Sequence, residues 1–356
     1  MRKVVIHRAG GYDRLSIEEH PDPPPGPGEV RLAVDAIGVN YADCMVRMGL
    51  YASAREYVGW PITPGFEVAG AVETLGPGVT DVEPRSAVVA VTRFGGYATK
   101  IVVPASQVFR PPRGFTTEEA AGFPVVFLTA SYALFELAHP RPGARILIHS
   151  AAGGVGGALV QLAKIAACDV TAVVGAPHKV EVALELGADR AIDKSRDDLW
   201  REAERHAPGG YDVVLDANGA STLRGSYAHL ARGGKLVVYG FHSMIPKEGG
   251  RPDWLKLAVD WLRTPRFSPL RMTGENRSVL AFNLSHLFDR TELLREWMGR
   301  LVAWADEGRI RPPPVTTFPL DRVAEAHRVL ESGETAGKLV LLPASPEAHA
   351  VRPRMI

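Results

Sequence analysis

Two stretches concentrate the residue types that do chemistry. In "ILIHSAAGGVGGALVQLAK", residues 146–164, Gly153, Gly154 and Gly156 stand between an apolar run and a helical pattern with Val155, Leu159, Leu162 and Ile165 on one face. Glycines at this point let the backbone approach a pyrophosphate, and the amide-rich start of the helix favours the anion. Ala151 occupies the place of the first glycine in the usual fingerprint. With a strand before it and a helix after it, the degenerate pattern reads as a dinucleotide-binding turn rather than a bare tight turn. The second stretch, "GVNYADCMVRMGLY" at 38–51, sets Asn40, Tyr41, Asp43, Cys44 and Tyr51 into an otherwise apolar run.

The end of the next strand bears on which dinucleotide is bound. An acidic residue about twenty positions after the glycines normally holds the ribose hydroxyls of NAD. Here Gly175 lies nineteen positions after Gly156, and no carboxylate follows until Glu181. Lys179 is within reach of a 2′-phosphate and Lys194 in "AIDKS" is a second candidate, so NADPH is preferred, with NADH possible. The bland alternative is that Lys179 opens a solvated helix.

The whole chain restricts the setting. Its 356 residues suffice for two domains, and 46% hydrophobic with 23% charged residues is ordinary for a globular protein. Forty-one basic and forty acidic side chains nearly cancel, which argues against nucleic acid as a partner. Cys44 and Cys168 are the only cysteines, too few for a four-cysteine zinc lobe or a disulfide framework, so a cytoplasmic setting is expected. The N-terminal apolar run is too short for a signal peptide or anchor.

The elements that must position these residues change character near residue 125. Before it, "EVRLAVDAIGVN", "FEVAGAVETLG", "SAVVAV" and "YATKIVVPAS" are short β-like runs that suggest a small antiparallel barrel or sandwich. After it, strands such as "RILIHS", "DVTAVVG", "YDVVLDA" and "KLVVYG" alternate with helices, which predicts parallel β-α-β units on one doubly wound sheet. The last strand, "GKLVLLP", lacks local neighbours and is expected to return to the first domain. The expected division is 1–125 with 282–356 as one domain and 126–281 as the inserted dinucleotide-binding domain.

This order, with "AAGGVG" and "PITPGFEVAGAVETLGPGV", resembles the medium-chain dehydrogenase/reductase superfamily, and "GVNYADCMVRMGLY" and "LTASYAL" resemble its zeta-crystallin-like quinone oxidoreductases. "GYD", "FNLSHL" and the long segment before the latter are similar to the vesicle amine transport protein branch. The resemblance implies an α/β fold: a GroES-like β-rich catalytic domain carrying an inserted Rossmann domain. In the superfamily's zinc alcohol dehydrogenases a cysteine matches Asn40 and a histidine matches Phe66, so it implies no zinc here. Cys44, His7, His149 and Glu67 show no ligand-like spacing, and Cys44 is read as a small packed side chain. Without a Lewis acid, alkoxide formation is unassisted, whereas hydride transfer to an enone, a 2-enoyl-CoA thioester or a quinone needs less help.

The resemblance also assigns candidates. Tyr51 matches a tyrosine given proton delivery in enoyl-thioester reductases, or it only walls the cleft. Asn40 bonds the nicotinamide ribose or the substrate carbonyl; Asp43 orients Asn40 or caps its helix. Thr129 contacts the nicotinamide amide or caps a helix. Asn218 lies at the sheet's C-terminal edge, while Gly240, Phe241, Phe282 and Asn283 flank the nicotinamide half. A homodimer is implied as well.

Segment 243–280 has seven basic and four acidic side chains, a net charge of +3, and an apolar stripe through Trp254, Leu257, Ala258, Trp261 and Leu262. A helix pair docked on the core is the default expectation. The alternatives are a basic rim for the phosphates of a CoA thioester, or a membrane or protein contact, with membrane contact the less favoured. The latter would make the chain chiefly an associating NADPH-binding protein with weak catalysis.

Overall fold

The computed structural model describes residues 1–343. Glu29–Val39 buries alternate residues over most of its length, with Val30, Leu32 and Val34 on one core, and becomes continuously buried toward its end, where Ala36 joins a second core. Such a pattern marks a strand covered on one face that runs under a second layer. It is the centre of a seven-stranded, largely antiparallel sheet. The path is Val315–Pro319, Lys338–Leu342, Glu29–Val39, Glu67–Leu75, Ala87–Val91 and Val108–Phe109, with Lys100–Pro104 also paired to Glu29–Val39. The last strand does return: Leu339, Val340 and Leu341 pair antiparallel with Val39, Gly38 and Ile37.

The second sheet is six-stranded and parallel, in the order Arg190–Asp193, Asp169–Val174, Arg145–His149, Tyr211–Asp216, Leu230–Val238 and Ser278–Ala281. Numbered along the chain this is 3-2-1-4-5-6, the doubly wound order whose switch point lies between the first and fourth strands. The glycine turn and Asn218 both follow strands at that point. The helix Thr291–Asp306 places Leu294, Trp297, Met298, Leu301, Val302 and Ala305 at helical spacing and buries them beside the helix Pro124–Ser131. Gly337 bridges to Gly153, and its N–H donates to the Ala152 carbonyl at 2.9 Å, so the returning strand starts against the glycine turn.

Segment 243–280 corrects one expectation. It forms two helices, Trp254–Arg263 and Pro269–Glu275, but neither buries a residue. Trp254 is 70%, Leu255 77%, Trp261 64%, Leu262 72% and Leu270 86% exposed. The periodicity correctly reports a helix with an apolar face; it carries no information about what covers that face.

A buried polar chain braces the first domain and reaches the segment at Gly250. Arg47, on the helix Tyr41–Met48, donates to Glu331 Oε1 at 2.7 Å, to the Gly250 carbonyl at 2.9 Å and to His327 Nδ1 at 3.2 Å. With Nδ1 accepting, neutral His327 carries its proton on Nε2 and donates to Tyr97 Oη at 3.2 Å, whose own O–H goes to Asp43 Oδ2 at 3.0 Å. Burial, then Arg47, holds the His327 pKa well below its ordinary value. Tyr12 completes the chain by donating to Glu331 Oε2 at 2.6 Å. Glu331→Gln leaves Arg47 charged in a dry site and is expected to cost about 3–5 kcal/mol, measured by denaturant unfolding.

Candidate active site

The glycine turn is built by close packing. Ser150 takes a left-handed φ of 54° after the strand, and the helix Gly154–Ile165 follows with Gly153 at its N-cap. A Cβ on Gly156 would stand 2.1 Å from the Ser150 carbonyl oxygen, so only glycine lets helix and strand meet. Ala151 is fully buried and its N–H donates to the Val173 carbonyl at 3.1 Å, and Val155 packs partly into the core. These two serve the turn through packing and backbone. Asn218 is brought to the same place: its Oδ1 accepts from Ser150 Oγ at 3.0 Å, and its Nδ2 is buried without a partner.

Above Gly175 the nearest side chain is Lys194, whose Cε would lie 3.7 Å from an added Cβ. Lys179 is nearly buried at the start of the helix His178–Glu185, and its Nζ donates to the Gly333 carbonyl at 2.6 Å. It is therefore not a solvated helix start. Burial, then the charge of Lys247, lowers its pKa, with Glu334 acting against them and Lys194 adding less; burial and then Lys247 lower that of Lys194 as well, against Asp216. Sequence spacing had no means of bringing Lys247 to this group. Among the described residues none of the three lysines makes a direct ion pair, Glu334 and Asp216 acting on Lys179 and Lys194 only from farther off.

The base of the cleft is an ion pair that sequence reasoning missed. Lys338 Nζ lies 2.6 Å from Glu67 Oε1, with the two side chains 4% and 0% exposed. Asn40 is held between them: its Nδ2 donates to Glu67 Oε1 at 2.9 Å and its Oδ1 accepts from Lys338 at 2.6 Å. The second Glu67 oxygen accepts from the Val125 N–H at 2.7 Å. Asn40 thus has one N–H left for a ribose or carbonyl. A carboxylate at the start of a buried strand, in "PGFE", was the available signal, because such a charge demands partners. Gly38 is the other: a Cβ there would meet Glu67 Oε1 at 2.4 Å.

Asp43 makes no hydrogen bond to this pair. Its carboxylate accepts from the Asn40 N–H at 2.8 Å, the Gly65 N–H at 2.8 Å and Tyr97. It caps the helix and does not orient the Asn40 side chain. Burial pushes the carboxyl up to about 7 against these donors. Thr129 is neither a cap nor free to donate: in mid-helix, its hydroxyl donates to the Val125 carbonyl at 2.7 Å.

Aromatic rings surround Tyr51. Phe66 and Phe94 meet it edge-on at 5.8 and 6.5 Å, and its O–H donates to Asn283 Oδ1 at 2.7 Å. Burial raises its pKa, so the phenol is protonated at neutral pH. Asn283 therefore reaches Tyr51, while Phe282 packs on Tyr132 at 4.8 Å. At Gly240 a Cβ would stand 2.8 Å from the Ala217 carbonyl; Phe241, 36% exposed, lies against Gly219. Tyr41 packs at a tilt against His242, ring centroids 4.1 Å apart, and its O–H donates to that residue's carbonyl at 3.2 Å, joining the two domains.

Two groupings have the look of metal sites, and neither fits one. At the Asn40 and Phe66 positions, the asparagine oxygen already holds an ammonium and the phenylalanine offers no ligand atom. Cys44, His327 and Glu331 do converge, their ligand atoms all within 4.8 Å, which spacing in sequence concealed. The Arg47 guanidinium occupies that grouping, and burial keeps the Cys44 thiol protonated.

The doubly wound sheet, the β-rich domain and the cleft between them define a nicotinamide-type oxidoreductase. A family model described as zinc-binding dehydrogenase matches residues 186–341, and one described as alcohol dehydrogenase GroES-like domain matches 26–113. The chain belongs to the medium-chain dehydrogenase/reductase superfamily, in the zeta-crystallin-like group near the VAT-1 homologues. The synaptic vesicle membrane protein VAT-1 homolog of Rattus norvegicus is 34% identical over 345 residues, covering 96% of this chain and 84% of its own. The Escherichia coli quinone oxidoreductase complexed with NADPH superposes with a TM-score of 0.84 at 26% identity, over 96% of this chain and 100% of that one. CurK enoyl reductase gives 0.82 at 27% identity, over 96% and 98%.

Asp43→Asn replaces an acceptor-only group and leaves one donor unsatisfied. Unfolding should show a loss of about 1–3 kcal/mol, with kcat of the folded enzyme within about twofold of wild type.

Proposed function

We propose that the protein is a zinc-independent, NADPH-dependent reductase of an activated C=C bond, in an enone or 2-enoyl thioester, or of a quinone. The observation that carries this is the cluster of Lys179, Lys194 and Lys247, without ion-pair partners, beside a glycine turn at the switch point of a parallel sheet. When bound, NADPH supplies a hydride. The turn from Gly153 to Gly156 and the start of its helix favour the pyrophosphate, and the lysines favour a 2′-phosphate. The unpaired Asn218 Nδ2 and the close backbone at Gly240 suit the nicotinamide half. Phe66, Phe94 and Tyr51 exclude water from the reacting carbon, and Tyr51 holds a proton on its oxygen. A homodimer joined along the outer edge of Ser278–Ala281 belongs to the same proposal, as does a cytoplasmic setting.

A quinone, a free enone and its CoA thioester, each assayed with NADPH and a chelator, form the test. Turnover of at least one is expected, and none across the panel overturns the reading. A preference for the CoA ester would assign the basic segment to its phosphates. Lys179→Ala should weaken NADPH binding about tenfold or more while leaving NADH binding within about twofold.

The exposed segment favours a second activity for the same protein: attachment to an anionic lipid surface. Trp254, Leu255, Trp261, Leu262 and Leu270 are the five most exposed large apolar side chains among the described residues, on a segment of net charge +3. Tryptophan and arginine on one short amphipathic helix suit a headgroup boundary. No helix among the described residues is long and apolar enough to cross a membrane. Sedimentation with phosphatidylserine vesicles should bind the wild type and lose the Trp254→Ser/Trp261→Ser variant. Binding that ignores the variant, or no binding, removes this reading.

A further inference from the structure

The phenol of Tyr51 is surrounded by hydroxyl and amide groups that the reductase reading does not use. Its O–H donates to Asn283 Oδ1 at 2.7 Å. The same oxygen accepts from the Ser285 N–H at 3.0 Å, which fixes the amide with its oxygen toward Tyr51. These two donors fill the carbonyl lone pairs. Ser285 Oγ, 3.0 Å from that oxygen, also reaches Ser53 Oγ at 2.9 Å, and both serines are fully buried. In the resting cleft the one phenolic hydrogen is therefore engaged by Asn283, while the Ser285 and Ser53 hydroxyls are hydrogen-bonding neighbours of the phenol.

We propose that Tyr51 is a latched proton donor, with Asn283 holding its O–H in the resting state and Ser285, backed by Ser53, stabilising the phenolate once the proton has left. Asn283 and Ser285 are thus positioning residues. The inference rests on the reductase reading. After the nicotinamide hydride adds to the β-carbon of an enone, the electron pair lies on the α-carbon and carbonyl oxygen. The Tyr51 O–H turns off Asn283, its O–H bond breaks and a C–H bond forms at the α-carbon. The Ser285 hydroxyl hydrogen turns to the phenolate oxygen, and water returns the proton when product leaves. A buried phenolate without such a donor is costly, because a hydrogen bond to a charged group contributes more than one to a neutral group. Burial, with Asp43 adding to it, raises the Tyr51 pKa, and Ser285, Asn283 and Ser53 act against that rise. A reduced quinone carries its charge on oxygen and takes its proton from water directly, so this device matters for C=C reduction.

Ser285→Ala and Asn283→Asp are the test variants, each assayed with an enone and a quinone. The first removes the phenolate donor; the second keeps the acceptor but sets a negative charge against the phenolate. Both should lower kcat for the enone by about tenfold or more and kcat for the quinone by a clearly smaller factor. Tyrosine ring-carbon NMR, with the Tyr51 signal assigned by its absence in Tyr51→Phe, should show the phenol titrating at higher pH in both variants. Unchanged enone kcat, an equal fall with both substrates, or an unmoved Tyr51 titration overturns the proposal. If the wild type turns over neither substrate the reductase reading fails, and the NMR titration still decides whether the latch exists.

Discussion

The ion pair between Glu67 and Lys338 is the constraint on which the cleft depends. It sits almost fully out of water, where two charges are stable only if every remaining lone pair and proton finds a partner. Those partners come from separate parts of the chain: Asn40 from the helix after the central strand, and the Val125 N–H from the helix that leads into the second domain. Lys338 itself begins the returning strand, next to the bridge between Gly337 and Gly153. One buried carboxylate therefore sets the positions of both cleft walls and of the glycine turn. Gly38 and Gly122 are the sequence's concession to it, since a Cβ at either would collide with Glu67 or with Lys338.

The same logic governs the second buried network, which runs from Glu331 through Arg47, His327 and Tyr97 to Asp43. Each group has partners inside the network, although the Arg47 Nε is left without one, and the histidine tautomer follows from these bonds. This is why a convergence of cysteine, histidine and carboxylate here is structural: the guanidinium already supplies the positive charge that a metal ion would bring. Its reach to the Gly250 carbonyl also ties the segment between the fifth and sixth strands of the parallel sheet to the first domain. Beyond that anchor Phe267 and Met272 pack against the core under the parallel sheet, while the tryptophans stay in solvent. A globular domain seldom leaves such a face uncovered without a use for it.

Much of the architecture is legible in the sequence because it rests on local rules. Period-two burial marks the strand Glu29–Val39, period-3.6 burial marks Thr291–Asp306, and the alternation after residue 125 determines a parallel sheet, since parallel strands need crossovers. The glycine turn is legible for a similar reason: strand, turn and helix are contiguous, so one stretch contains the whole device. The absence of a carboxylate at Gly175 is equally local, and with Lys179 it points toward a phosphate.

What tertiary structure alone decided are the pairings between distant residues. Lys338 is 298 positions from Asn40, and Asn283 is 232 from Tyr51; no spacing rule connects them. Asp43 and Thr129 carry functional side chains by type, yet Thr129 spends its hydrogen bond on backbone and Asp43 spends its own on two backbone N–H groups and Tyr97, because a buried polar group takes the nearest complement. Lys247 joins Lys179 only through the fold. The apolar stripe at 254–262 shows the limit most directly: sequence determines that a helix has two faces, and only the packed chain determines whether the apolar one meets a core or water.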